Sequence, residues 1–343
     1  MLTTRFTRKY GVTRPFVSAG MSTMTTPQLI GAVCKEGGLG LHGVADMPVD
    51  RLANDIDQIR QYTSSPFGIA IIPRLCSSEQ IDVCVAKKVP IVNFFWDDIP
   101  PEWLARLKTA GIAVWKQVCS VAEARESIAL GIDLLIVQGS EAGGHNRAEA
   151  SSLAMIPAVA DIAGDVPIVS SGGIADGRAA AAALALGADA VCVGTRLLAS
   201  PEAHAHAEYK KRLVAAGVGD TARTNIFGLE WNDAPSRHLR NRVVREWEHR
   251  DHPGPYKQLP ESEIREIGRI ELFGTEYSHR RFSIYPPSPS FKGDWEEICM
   301  YGGESVGQTK AIKPAGEIVR EIMDKAEDII RHRFAAMLAQ PVN

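Results

Sequence analysis

One loop in this sequence carries an acid–base group with very little around it. It is Gln138–Arg147, QGSEAGGHNR. His145 titrates near neutrality and can give or take a proton there. Gly143 and Gly144 strip away neighbouring side chains, leaving room for a planar ligand, and Glu141 either orients the imidazole or stands in solvent. Two further segments suggest anion chemistry: Ser170-Ser171-Gly172-Gly173 and Gly194-Thr195 each follow an apolar run. Glycine there lets the backbone approach a phosphate closely, and the hydroxyls of Ser171 and Thr195 can donate to its oxygens. Two ordinary strand-to-helix turns are the plainer alternative. Lys116, in Val-Trp-Lys-Gln-Val, has apolar neighbours on both sides. An ammonium lining a barrel mouth needs an anionic partner, whereas one at a strand end can snorkel to water. Asp97 and Asp98, beside Trp96, can reach the same mouth or cap a loop.

These groups need a frame that brings them together. From residue 15 to about 217, eight short apolar runs alternate with helical stretches; they begin at Pro15, Leu39, Phe67, Pro90, Ile112, Leu134, Val166 and Ala190. They are rich in Val and Ile and lack polar alternation, as expected of parallel strands buried on both faces. The intervening stretches TTPQLIGAVCKEG, VAEARESIALG and DGRAAAAALALG each end in Gly, the usual helix terminator. Eight such units predict an α/β fold of the (β/α)8 TIM-barrel type. In that fold Ser171–Gly173 and Gly194–Thr195 follow the seventh and eighth strands, where phosphate sites are commonly built. GLGLHG at Gly38–Gly43 spells GxGxxG but follows a helix and runs into a strand, the reverse of a dinucleotide fingerprint.

After residue 217 the rhythm stops. Residues 1–217 are expected to form the barrel, 218–310 a mainly helical cap, helical around Arg237–His249 and Pro260–Ile270, and 311–343 a C-terminal helix packing on the barrel. Arg5, Arg8, Lys9 and Arg14 suggest a solvated first segment.

Composition narrows the function class. The chain has 343 residues with 38 Lys+Arg against 41 Asp+Glu, and the net charge of −3 argues against a nucleic-acid partner. No apolar run approaches the roughly 18 residues of a membrane span, and the first residues lack a secretory core, so a cytoplasmic protein is expected. Six cysteines with no CxxC pair suggest neither a disulfide framework nor a metal site. His249 and His252 stand close enough to share a metal but lack supporting ligands, and there is no GxSxG or HExxH.

The combination of EAGGH at Glu141–His145, SGGI at Ser171–Ile174 and GT at Gly194–Thr195 resembles the nitronate monooxygenase family, the former 2-nitropropane dioxygenases. The likeness runs from SAGMSTMTTPQL through VGTRLLASPEA into NIFGLEWNDAPSRHLRNRVVRE and GQTKAIKPAGEIV, nearly the whole chain. It implies an FMN-dependent barrel that oxidises alkyl nitronates, or nitroalkanes, with O2 to a carbonyl compound and nitrite. His145 would be the catalytic base or, as imidazolium, hold the nitronate charge. The resemblance places Gly20, Met21 and Ser22 against the isoalloxazine, with Gly143 and Gly144 beside it and Lys116 as a flavin-contacting lysine. Ser171, Gly172, Gly173, Gly194 and Thr195 would cradle the FMN phosphate. The implied partners are a small-molecule substrate and O2, and a homo-oligomer is compatible with the sequence. Two positions depart from the family pattern. Gly20 stands where Pro is usual, and Ala70 replaces the usual Asn, removing a polar contact to flavin or substrate. Two rivals remain: the flavin-type enoyl-acyl-carrier-protein reductase, which shares EAGGH and GGI and uses a nicotinamide, and a flavin-free barrel that binds a phosphate ligand.

Overall fold

A computed structural model describes residues 1–248 and 259–339. Eight parallel strands close into a barrel: β1 (Phe16–Ser18), β2 (Leu39–Gly43), β3 (Phe67–Ile71), β4 (Ile91–Phe94), β5 (Ala113–Val118), β6 (Leu134–Gln138), β8 (Ile168–Ser171) and β9 (Ala190–Val193). They lie in the eight apolar runs read from the sequence. A two-residue strand, β7 (Gly144–His145), interrupts the numbering and belongs to another sheet.

The helices obey local rules. They are α1 (Arg5–Tyr10), α2 (Pro27–Lys35), α3 (Val49–Tyr62), α4 (Ser78–Ala86), α5 (Pro101–Thr109), α6 (Val121–Ala129), α7 (Ser152–Ala163) and α8 (Gly177–Ala185). Thr26, Ser120 and Asp176 cap the first turns of α2, α6 and α8 with side-chain oxygens. Gly37, Gly131 and Gly187 follow the helix ends at positive φ, as the sequence predicted.

Strand alternation splits the apolar residues into two cores. Val114 and Val118 face the helices, whereas Trp115 joins Val17, Leu39, Leu41, Ile91, Leu134, Ile136 and Val169 inside the barrel. The first segment is not a solvated stretch. Its α1 plugs the barrel floor with Phe6 and Tyr10 against Trp115, whose Nε1–H donates to the Tyr10 hydroxyl at 2.8 Å. Of the four cations expected to face solvent, Arg5 pairs with Asp189 and Arg14 with Asp324, while Arg8 and Lys9 are exposed as expected.

After β9 the chain makes a short turn of helix, α9 (Thr195–Leu198), then α10 (Ala207–Ala215), and leaves the barrel pattern. A mainly helical cap was expected. Among its described residues this region instead holds β10 (Thr221–Thr224), β11 (Ser236–Leu239), β12 (Glu266–Leu272), β13 (Thr275–Arg280) and β14 (Lys292–Gly293), with one short α-helix, α11 (Arg242–Trp247), and 3-10 turns at Glu261–Glu263 and Glu304–Gln308. The Pro260–Ile270 helix gives way to a hairpin: Glu266–Leu272 pairs antiparallel with Thr275–Arg280 and buries Ile267 and Ile270, with a bulge between Glu266 and Gly268. Phe273 and Gly274, both at positive φ, close the turn. His249 and His252 lie outside the described residues. The chain then returns as α12 (Ala315–Asp328), which packs between α8 and α2 and completes the ring of eight helices. A π-helical turn (Ile329–Arg333) and α13 (Phe334–Ala339) follow it. The irregular segment is therefore inserted between the eighth strand and the eighth helix. Among the described residues no helix is long and apolar enough to cross a membrane.

Phe6 is fully buried at the barrel floor. Phe6→Ala should destabilise the fold by about 3–5 kcal/mol, read as a lower urea midpoint at unchanged m. A midpoint that does not move would show that the plug contributes nothing to stability.

Candidate active site

The same alternation builds the site. One step above the apolar interior, the inward positions of successive strands are Ala19, Gly43, Ala70, Asn93, Gln117, Gln138, Ser171 and Cys192. They line a cleft of about 1410 Å³, counted out to its open mouth. Small residues make the half under β1 to β3, and carboxamides and a hydroxyl make the half under β4 to β8. Asn93 and Ala70 are register partners across β3 and β4. Asn93 is 3% exposed, and its Oδ1 has no hydrogen-bond partner. A buried carbonyl oxygen left unpaired costs free energy unless something else in the cleft donates to it. Gln138 is engaged: its Oε1 accepts from Cys119 Sγ at 3.3 Å and its Nε2–H donates to the His145 carbonyl at 3.3 Å.

Gly20, Met21, Ser22, Gly143, Gly144, His145, Ser171, Gly172, Gly173, Gly194 and Thr195 all border this cleft. Lys116 does not. On β5 the inward residues are Trp115 and Gln117, so Lys116 points outward with Val114 and Val118, and its Nζ donates to the Asp97 carbonyl. Burial lowers its pKa, against the opposing pull of Asp98. The lysine expected to line the barrel is replaced there by the neighbouring Gln117, a consequence of the two-residue strand period. Among the described lining residues, Asp46 is the one Asp, Glu, Lys or Arg. It accepts from the Tyr285 hydroxyl at 2.8 Å, and burial raises its pKa.

The two glycine loops form a backbone cradle. Gly172 and Gly173 sit at φ 115° and 68°, conformations that an L side chain rarely adopts. No described group accepts from their N–H groups or from that of Thr195. The Thr195 hydroxyl accepts from Gly303 N–H at 3.0 Å and keeps its own proton to donate. Gly20 and Ala70, the two departures from the family pattern, touch each other: a Cβ built on Gly20 would lie 2.3 Å from the Ala70 Cβ.

His145 is held by a partner distant in sequence. Its strand β7 pairs antiparallel with β11, His145 opposite Ser236 and Gly144 opposite Arg237. Trp231 lies against the imidazole with ring centroids 4.1 Å apart, and Trp96 meets both rings edge-on. Nδ1–H donates to the Ala234 carbonyl at 3.3 Å, and Nε2 faces the Tyr301 hydroxyl at 3.2 Å. Burial pushes the imidazole pKa down to about 4, partly offset by the Ala234 carbonyl. The ring is therefore neutral at pH 7 and not the imidazolium that would hold a nitronate. Glu141 does not orient it. Its carboxylate accepts from the Ser152 N–H and hydroxyl at the start of α7. Asn93, Gln117, Trp231, Tyr285 and Tyr301 are site residues the sequence reading missed. Strand parity counted from Trp115 would have found Gln117, but nothing local marks Trp231 or Tyr301.

Burial lowers the pKa of His145 and of the neighbouring His238 below the ordinary 6.5. The unfolded chain then binds these protons first as pH falls, so stability drops from about pH 6.5 toward pH 4. His145→Asn should flatten that loss by at most about 1.4 kcal/mol per pH unit, measured as urea midpoints between pH 7 and 5. An unchanged slope would contradict a neutral resting imidazole.

Comparison with known proteins agrees with this geometry. The chain matches the nitronate monooxygenase family over residues 3–78 and 73–325. It is 33% identical over 346 residues to nitronate monooxygenase npaC of Metarhizium robertsii, covering 92% of this chain and 91% of that one. It is 35% identical over 254 residues to the (3aS,4S,5R,7aS)-5-hydroxy-7a-methyl-1-oxo-octahydro-1H-indene-4-carboxyl-CoA dehydrogenase of Rhodococcus jostii, covering 72% and 69%. FabK from Thermotoga maritima superposes with a TM-score of 0.78 at 30% identity, over 98% of this chain and 100% of that one. With the barrel, the inserted segment and these matches in agreement, the chain belongs to the nitronate monooxygenase family.

Proposed function

We propose that this protein is an FMN-dependent oxidoreductase that acts on a neutral acyl thioester, exchanging a hydride and a proton at the carbons next to its carbonyl. The observation that carries this reading is the charge of the cleft: no lysine or arginine is among its described lining residues, and Asp46 is the one carboxyl group. An anionic substrate would be desolvated there against a carboxylate. A thioester carbonyl needs only hydrogen-bond donors. The carboxyl-CoA dehydrogenase relative points the same way.

The residues present fit FMN. The cradle of Gly172, Gly173, Gly194 and Thr195, with the Ser171 hydroxyl, suits a phosphate met by backbone N–H groups. The unpaired Asn93 Oδ1 and the Gln117 carboxamide suit the polar edge of a flavin ring, with Gly20, Met21 and Ser22 opposite. When bound, FMN would supply hydride transfer. The protein's own part is then proton handling and exclusion of water. Neutral His145 takes or returns a substrate proton at Nε2, while Nδ1–H stays on Ala234. Trp231, Ile284, Tyr285 and Pro286 cover the cleft from the inserted segment and keep water from the reacting carbons.

A second reading is oxidation of alkyl nitronates with O2 to a carbonyl compound and nitrite. It is favoured by coverage: the relative named nitronate monooxygenase matches 92% of this chain, against 72% for the dehydrogenase. With a neutral nitroalkane as the starting substrate, the same His145 would first take its α-proton to give the nitronate. Cytoplasmic placement and self-association belong to the same proposal.

The two readings separate in one pair of assays on the flavin-loaded protein. A 2-enoyl-CoA should be reduced at the expense of NADPH under anaerobic conditions, and propionate 3-nitronate under O2 should release little nitrite. The reverse pattern would overturn the thioester reading and install the nitronate one. Protein that is colourless and takes up no FMN would overturn both, leaving a phosphate-ligand barrel. His145→Asn should retain FMN and lose at least about 100-fold in kcat; unchanged turnover would remove His145 from the chemistry.

A further inference from the structure

The hydroxyl of Tyr301 makes two contacts that one proton cannot satisfy together. It lies 2.7 Å from the Ile284 carbonyl and 3.2 Å from His145 Nε2. The carbonyl is an acceptor only. Ala234 is likewise an acceptor only, so His145 Nδ1 must keep its proton. Nε2 is therefore the basic nitrogen, and besides a neutral ring with Nε2 unpaired while the phenol donates to Ile284, two arrangements pair it. In one, the phenol donates to Nε2, the ring is neutral, and the Ile284 carbonyl has no donor. In the other, Nε2 has taken a proton and donates to the phenol oxygen, and the phenol proton is free to turn to Ile284.

Ile284 belongs to the stretch Ile284–Pro286 that borders the cleft, and the Tyr285 hydroxyl ties that stretch to Asp46 beyond β2. We propose that Tyr301 is a positioning residue that sets the proton state of His145 Nε2 and couples it to the seating of this strap. At rest the phenol proton points at Nε2. When His145 takes a proton from substrate, the phenol accepts Nε2–H and turns its own proton to Ile284. That fastens the strap while the deprotonated intermediate is present. In this step one substrate C–H bond breaks and one Nε2–H bond forms, the electron pair staying on the substrate carbon, and the phenol proton changes acceptor.

The surroundings leave the assignment to Tyr301. The other groups against the imidazole are the rings of Trp96 and Trp231. Arg147 and Arg74 lie over those two indoles, at 5.1 and 5.3 Å from the ring centroids. Buried His238 packs against the Tyr301 ring at 5.0 Å and spends its own nitrogens on Ser236 and Cys299. Tyr301 is the group within hydrogen-bond reach of Nε2 among the described residues.

The coupling to turnover rests on the redox reading above, but the proton arrangement is tested without any substrate. In the flavin-loaded protein at pH 7, the ¹⁵N resonance of His145 Nε2 should move toward that of an unbonded imine-type nitrogen in Tyr301→Phe. Replacing Tyr301 by 3-fluorotyrosine, which keeps the shape and makes the phenol a stronger donor, should move it the other way. With whichever substrate turns over, Tyr301→Phe should lower kcat about tenfold, one hydrogen bond's worth, with KM and FMN affinity within about twofold. An Nε2 resonance unmoved by both replacements overturns the proposal whether or not activity falls, because Tyr301 is then only a strap anchor. A moved resonance with unchanged kcat overturns the coupling to the reaction. Failure of both substrate assays leaves the resonance test intact and counts against the redox reading alone.

Discussion

Closure of eight parallel strands into a barrel imposes the constraint that everything else in this protein obeys. Once the sheet is closed, each strand position faces either the helices or the interior, with no third choice. The interior is filled at the floor by Trp115, Phe6 and the aliphatic side chains around them. One step higher the same faces change character, to Asn93, Gln117, Gln138 and Ser171 on one side and to Gly43 and Ala70 on the other. The site is the top layer of the core, left unfilled. Its supports are therefore as rigid as the barrel, while the loops carrying Ser22, Asp46 and Trp96 bend back over it at positive φ.

The inserted segment does what the barrel cannot. A barrel mouth is open to water, and an imidazole there would titrate near its ordinary value. Pairing of β7 with β11 and the packing of Trp231 cover His145 from the side of the insertion, leaving it open toward the cleft. The insertion has a small core of its own, with Ile226, Phe227, Val243, Val244, Trp247 and Phe282. It also shares the main core through Leu239, Ile267, Ile270 and Met300. Because both of its ends are anchored on barrel elements, β9 and α12, it is tied to the mouth at either side. The lack of lysine and arginine among the described cleft residues follows from the same arrangement, since the nearby cations Arg74 and Arg147 lie over indoles and Lys116 points away.

How much could be read in advance depended on the range of the interactions involved. The eight strands, the glycine helix ends and the two glycine loops are local patterns, and the structure shows them where the residues implied them. The errors came where a side chain's direction or a distant partner decided the outcome. Lys116 was read by its apolar neighbours and not by parity with Trp115. The hairpin at Glu266–Arg280 shows no clean two-residue alternation, because a bulge near Gly268 breaks it. Glu141, four residues before His145, was left either orienting the imidazole or in solvent, and it does neither, because its carboxylate serves the start of α7.

From the sequence alone came the barrel, the cradle and the identity of the imidazole, because each is written in periodicity or in residues that lie together along the chain. Tertiary structure alone decided the chemical state of that imidazole. Its partners Ala234, Trp231 and Tyr301 come from segments roughly 90 to 156 residues away. Their effect is one of burial and hydrogen-bond direction, and neither quantity exists until the chain has closed around the site.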